Sequence, residues 1–516
     1  MKITSVSYLV LTTMIIAFCG CNSNDQGHQT TYEPNWESLA NHTTEPEWFK
    51  DAKFGIYFHW GPYSVPEFAT EWYPRWMYFK DRGNRWGGKV YPYHQENYGE
   101  PEDFNYHDFI PLFKAEHFNA TEWAELFEAS GAKFAGPVAQ HHDGFAMWDS
   151  EINPNNSMDK GPHKDVLGDL FAELKKRDMK TIATFHHARN LQRYVTDSSN
   201  WAGKGGDVAR NSHFPYHPDY ATSTTDPELK YLYGNIPEPE FHEYWLGQVN
   251  EVVDKYAPDM IWFDSWLDLI PEAYRQKMVA HHYNTGLSRG QEPIVFHKQE
   301  DLPEEVALLD IEQGGKTGIS EKYWLTDITI SLGSWSYTAG QQYKTSEMVI
   351  RNMIDVWSKK GVVLLNVSPR ASGKIPDEQQ EILRSIGAWM NKHEEAVYNT
   401  RAHKIYGYGI AKFEKGHFGG QSATMDYTKD DIRFAKSKDG NTLFVYFLGL
   451  PDPDTDLELE HVFESNPDQQ ISKISILGSG LELKWEVNGD KLLFTTPDAS
   501  RMNPIATVLK VEFKKM

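Results

Sequence analysis

Through the first 400 residues, nearly continuous apolar runs alternate with amphipathic ones. FGIYFHW (54–60), AKFAGPVAQ (132–140), KTIATF (180–185), MIWFD (260–264), PIVF (293–296) and GVVLLNV (361–367) are short and mostly rich in β-branched and aromatic residues. They predict buried strands, the second despite its proline. Between them the period changes to that of a helix. In NATEWAELFEASG (119–131), Asn119 can cap with Glu122 three residues on, Trp123, Leu126 and Phe127 share a face, and Gly131 ends the run. Leu167, Leu170, Phe171 and Leu174 fall at i, i+3, i+4 and i+7, and Trp245, Val249, Val252 and Tyr256 line a third helix.

Repeated β-α-β units with strands apolar on both faces predict a parallel sheet. Over about 350 residues they predict a (β/α)8-like barrel. A doubly wound sheet is the alternative, but no Gly-rich phosphate loop follows a strand. The polar residues favour the barrel, because they gather where strands end: His59 and Trp60, HHDG at 141–144, His186 and His187, and Asp264. Barrels carry their sites at the C-terminal ends of strands. Two long excursions, 80–109 and 188–240, leave after strand ends and are expected to wall the site. After residue 400 helical periodicity stops. NTLFVYFLGL and KWEVNGDKLLFTT read as strands, the second a hairpin turned at Asn488-Gly489. The expected organisation is an export signal over 1–21, a polar tether over 22–45, the barrel over 46–399 and a β-sandwich over 400–516.

The N-terminus adds an address. Lys2, the apolar YLVLTTMIIAF and then CGCNSND resemble a bacterial lipoprotein signal, with Gly20 before an acylated Cys21. The expected location is the cell envelope, periplasmic or on the outer surface, with membrane contact only through the lipid. The chain's two cysteines are Cys19 and Cys21, so the processed chain has none left for a disulfide. A formal net charge of −22 argues against nucleic acid as a partner.

His141, His142, Asp143, His186 and His187 first suggest a metal. However, adjacent histidines on an extended segment point to opposite sides, and no His-x-His or His-Glu-x-x-His spacing occurs. The reading is no metal and no cofactor; imidazoles with Trp rings describe a pocket for sugar hydroxyls. No Gly-x-Ser-x-Gly elbow supports a serine hydrolase. Glycoside hydrolysis needs two carboxylates. Asp264 is one candidate. Glu312, in LLDIEQGG, is a second, with Glu300, Glu304, Glu305, Glu321 and Asp310 as rivals that spacing does not separate.

WFKDAKFGIYFHWGPYSVPEFATEWY, AKFAGPVAQHHDGFAMWDS, MIWFDSW and GVVLLNVSPRASGKIPDEQQEILRSIGAWM together resemble the α-L-fucosidases of glycoside hydrolase family 29, over about residues 46–400. The resemblance implies a retaining exo-α-L-fucosidase acting on fucosylated oligosaccharides or polysaccharides, with their sulfation and the oligomeric state left open. It makes Asp264 the nucleophile and places His59, Glu71, Trp72, His141 and His142 around the fucose ring. Trp335, in LGSWSY, joins that set. His186 stands where the family has Tyr, Gln140 replaces its Lys, and Lys298 or His297 replaces its Arg after the fifth strand. The D-x-E-x-G form favours Glu312 as acid/base. The rival reading is a surface glycan-binding lipoprotein on a retired barrel.

Cys21→Ala should leave the protein soluble or unprocessed in a cell fractionation. A mutant that still enters membranes with a normally processed N-terminus contradicts the lipoprotein signal.

Overall fold

Eight parallel strands form the barrel, six on the expected apolar runs and two, β6 and β7, on stretches not read as strands: β1 Phe54–Phe58, β2 Phe134–Gln140, β3 Lys180–Phe185, β4 Met260–Phe263, β5 Ile294–His297, β6 Leu308–Leu309, β7 Trp324–Thr329 and β8 Gly361–Val367. This computed structural model describes residues 31–80, 82–201, 212–299, 301–411, 425–465 and 467–514, so Cys21 and Glu300 lie outside the described residues. The sheet order is β6-β5-β4-β3-β2-β1-β8-β7. The β6/β7 seam closes without a ladder, through a bridge between Asp310 and Leu325 and through the Ile311 and Gln313 amides, which donate to Leu325 and Asp327 carbonyls.

Closure explains the apolar patterning. Side chains alternate across a strand. Tyr57, Val138, Ile182, Trp262, Phe296, Leu308, Leu325 and Leu364 pack together inside the barrel. Their neighbours Ile56, Phe58, Ala183, Ile261, Phe263 and Leu365 pack outward with the helices. Neither face meets water, so neither reads as polar. Pro137 is tolerated in β2 beside a register irregularity between Val138 and Gln140.

Helices Ala120–Ala129, Val166–Lys176 and Glu238–Tyr256 occupy the predicted positions. Asn119 caps the first by accepting from the Thr121 and Glu122 amides. Residues 32–45, read from their polarity as part of a tether, are packed. The Tyr32 amide donates to Asn284 at 2.8 Å, and the His42 ring stacks on Tyr283 with centroids 3.7 Å apart. A few spaced aromatic anchors outweigh the polar composition there.

The C-terminal region is a six-stranded antiparallel sheet that shares one core with a three-stranded sheet. Its hairpin turns one residue later than expected: Asn488 pairs with Lys491, so the loop is Gly489-Asp490, with φ +65° at Gly489. A buried ion pair ties the sandwich to the barrel. Asp355, on the helix before β8, accepts from Arg433 Nε at 2.5 Å and Lys359 Nζ at 2.8 Å. Among the described residues, no helix is long and apolar enough to cross a membrane.

Candidate active site

The polar residues of the site continue the inward parity of the strands. His59 lies two residues beyond Tyr57, Asp264 beyond Trp262, Lys298 beyond Phe296, Asp310 beyond Leu308, Asp327 beyond Leu325 and Asn366 beyond Leu364. A step of two keeps a side chain on the same face. Where the apolar fill of the barrel stops, one polar layer therefore begins.

Lys298 holds the centre of that layer. Its Nζ stands 3.1 Å from Asp264 Oδ1, 2.8 Å from Glu312 Oε2 and 3.3 Å from Asp327 Oδ2, and 4.8 Å from the Trp262 ring centroid. Glu312 and Asp327 accept hydrogen bonds from this ammonium, and Asp264 is ion-paired with it. Of the two replacements left open for the family's Arg, the fold selects Lys298. His297 is buried and directs Nδ1 to the Lys298 carbonyl at 3.1 Å.

Asp264 also receives His142 Nε2 at 3.1 Å on its other oxygen. Burial alone would raise its pKa. The Lys298 charge and the His142 hydrogen bond outweigh this and hold the carboxyl well below the usual range. Glu312 is pushed the other way, to about 7. Burial and the charges of Asp327 and Asp264 raise it, against the pull of Lys298. Asp310 is driven well above the carboxylate range by burial and by the neighbouring Asp327 charge. Two carboxyl groups on one ammonium thus have their pKa values pushed apart, the arrangement that separates a nucleophile from an acid. The rivals Glu304, Glu305 and Glu321 are exposed and line a groove below this layer, beside β6 and β7.

The histidines close over the carboxylates. Ring centroids of His141 lie 5.4 Å from His59, 4.9 Å from His186 and 4.8 Å from His142. The expectation that adjacent histidines diverge holds at one pair and fails at the other. His187 turns away to stack on Trp245. His141 and His142 converge because the chain leaves β2 at Gln140 and turns, with the Gly144 amide donating to the His141 carbonyl and φ +81° at Gly144. A side chain at Gly144 would also strike the Leu232 carbonyl at 2.5 Å. Likewise, the argument against a metal considered spacing along the chain alone. In space, ring nitrogens of His59, His141 and His186 all lie within 4.8 Å of one another.

The tautomer of His59 is fixed. Asn366 Nδ2 donates to the Trp335 carbonyl at 2.7 Å, so Oδ1 is the atom facing His59 Nδ1 at 2.7 Å. Nδ1 must carry the proton, and Nε2 offers a lone pair. Burial lowers the pKa of His59 to about 4, so it stays neutral. His141 and His186 are held well below their usual value by burial first, and each has a buried Nδ1 with no partner among the described residues. Such atoms call for a polar ligand.

Glu71 does not reach the carboxylates. It accepts from Ser334 Oγ at 2.9 Å and the Trp335 amide at 3.2 Å, fixing the loop that brings Trp335 within 5.3 Å of the His59 ring. Trp72 lies 5.2 Å from His142 and carries the Arg189 guanidinium at 4.7 Å. The excursions do supply walls: Tyr106 donates to Asp143, and His213 stacks on His142. Part of the second excursion, 202–211, lies outside the described residues.

A family model described as alpha-L-fucosidase matches residues 19–395. The chain belongs to the alpha-L-fucosidase family. The plasma alpha-L-fucosidase of Homo sapiens is 28% identical over 488 residues, 89% of this chain and 88% of its own. That of Pongo abelii is 32% identical over 394 residues, 72% of this chain and 73% of its own. The Thermotoga maritima alpha-fucosidase superposes with a TM-score of 0.70 at 28% identity, covering 93% of this chain and 100% of that one. It has also been solved with fucose and with a mechanism-based inhibitor. In this family setting, Asp327, Asn366 and Tyr57 were not singled out from the sequence. An acid or amide on the inward parity of an apolar strand was the available signal.

In protein carrying 13C-carboxyl glutamate, the Glu312 signal (assigned by its loss in Glu312→Gln) should titrate near pH 7. Lys298→Met should move it upward, since the cation favours the ionised form. A wild-type midpoint near 4.5 contradicts the described electrostatics.

Proposed function

We propose that the protein is a retaining exo-α-L-fucosidase. One observation carries this reading: Asp264 and Glu312 share the Lys298 ammonium, one held ionised and the other near neutrality. Because both contacts meet at one nitrogen, the two near oxygens are no farther apart than those contacts laid end to end. That is shorter than the roughly 6.5–9.5 Å separation of an inverting pair.

Asp264 Oδ attacks the anomeric carbon and forms a glycosyl ester as the glycosidic C–O bond breaks. Glu312 gives its proton to the departing oxygen, then takes one from the water that cleaves the ester. The unpartnered nitrogens of His141 and His186 and the Nε2 lone pair of His59 meet sugar hydroxyls, and Trp335 and Trp72 supply ring faces. Closure around a terminal residue fits an exo enzyme. No cofactor enters these steps. A barrel that only bound glycans would gain nothing from paired carboxyl groups in opposite states. The lipoprotein-like N-terminus supports action in the cell envelope, anchored through Cys21, on fucosylated glycans, sulfated ones included among those to be tested.

Asp264→Gly should lower turnover on the order of a thousandfold or more. Azide should restore activity and yield the β-fucosyl azide. Glu312→Ala should spare aryl fucosides with good leaving groups far more than natural linkages, and azide should then yield the α-fucosyl azide. Full activity of Glu312→Ala on fucosyl oligosaccharides would remove Glu312 from the role.

A further inference from the structure

The third carboxylate on Lys298 has no place in those steps. Asp327 is 1% exposed, against 16% for the Asp264 side chain and 19% for Glu312, and both hydrogen bonds to its Oδ2 come from inside the barrel. It is not an idle core group either. Its Oδ2 accepts from Tyr57 Oη at 2.9 Å as well as from Lys298 at 3.3 Å, and Asp310 lies close enough for their charges to interact. Tyr57 and Asp310 are themselves buried.

We propose that Asp327 is a positioning residue of the reaction: by taking one Lys298 donor from inside the barrel, it fixes how that ammonium is shared between Asp264 and Glu312. An ammonium with three donors and three acceptors has no spare direction. If Asp327 loses its charge, the cation is no longer partly neutralised from below. It moves toward the two working carboxylates and acts on them more strongly. Asp264 becomes a weaker nucleophile, and Glu312 releases its proton at lower pH. The other groups facing this centre are His59 and Tyr57 from β1, His142 after β2, His186 after β3 and Asp310 after β6. Burial holds the three imidazoles toward their neutral forms, and Asp327, bonded to both Lys298 and Tyr57, is the acid below Lys298 that a substitution tests.

This inference rests on Glu312 acting as the acid. The experiment is the pH profile of kcat/KM on a fucosyl oligosaccharide, whose leaving oxygen needs a proton. Asp327→Asn should move the basic limb down by roughly one to two pH units, the size expected of a unit charge lost a few ångströms away in a partly screened interior. Asp327→Glu should return it most of the way. Tyr57→Phe keeps the charge but removes a donor from Asp327, which concentrates the negative charge. The limb should then move upward, by less than one unit. A basic limb that stays in place in Asp327→Asn, or rises, overturns the proposal even if the melting temperature falls. Should Asp327→Asn not fold, an unmoved limb in Tyr57→Phe overturns it. Failure of the acid assignment looks different: Glu312→Ala would then show no preference for good leaving groups.

Discussion

The ammonium of Lys298, buried and 2.8–3.3 Å from three carboxylates, is the contact on which the chemistry of this barrel depends. With Asp310 counted, four acids crowd one cation. Their negative charges cannot all persist in so little water. The cluster resolves this by position. Asp264, with Lys298 on one oxygen and His142 on the other, keeps its charge. Asp310, buried and beside the Asp327 charge, is pushed toward keeping its proton. Glu312, with Lys298 in its favour and two negative neighbours against it, is left near 7. In the proposed mechanism, nucleophile and acid are therefore not two independent inventions. They are the two unequal shares of one positive charge.

Such a division needs fixed distances, and the barrel supplies them. Lys298, Asp264, Asp310 and Asp327 each sit two residues past an apolar side chain that is locked inside the barrel, and Glu312 follows two residues after Asp310. The loops add direction. The turn at His141–Gly144 brings two imidazoles onto the same side, Asn366 sets the tautomer of His59, and Glu71 holds the loop of Trp335 from behind. Glu71 was expected at the sugar ring. Its described contacts, from Ser334 and the Trp335 amide, hold the loop that carries Trp335.

Much of this was legible in the chain because burial on both faces leaves a strong signal. The apolar runs become strands nearly to the residue, and Asp264 stands out because an acid ends the most apolar of them. Asp327 was missed for the same physical reason in reverse. It lies within TDIT, where threonines dilute the apolar pattern, and its partner is 29 residues away on another strand. The alternation rule was applied to His141 and His142 as though the strand continued; a turn begins there instead. Polar residues 32–45 resembled a tether because a few aromatic anchors weigh little in a composition. Glu312 among its rivals was selected by resemblance; of the described candidates, it reaches Lys298 while keeping 19% of its side chain exposed.

The central claim is that one lysine holds both carboxyl groups close enough for a double displacement. The anomer released first reports this directly. In a proton NMR time course started with excess enzyme, the account predicts that α-L-fucose appears first and the β anomer grows in only by mutarotation. First release of β-L-fucose would mean a single inversion across a wider gap, and would contradict the account.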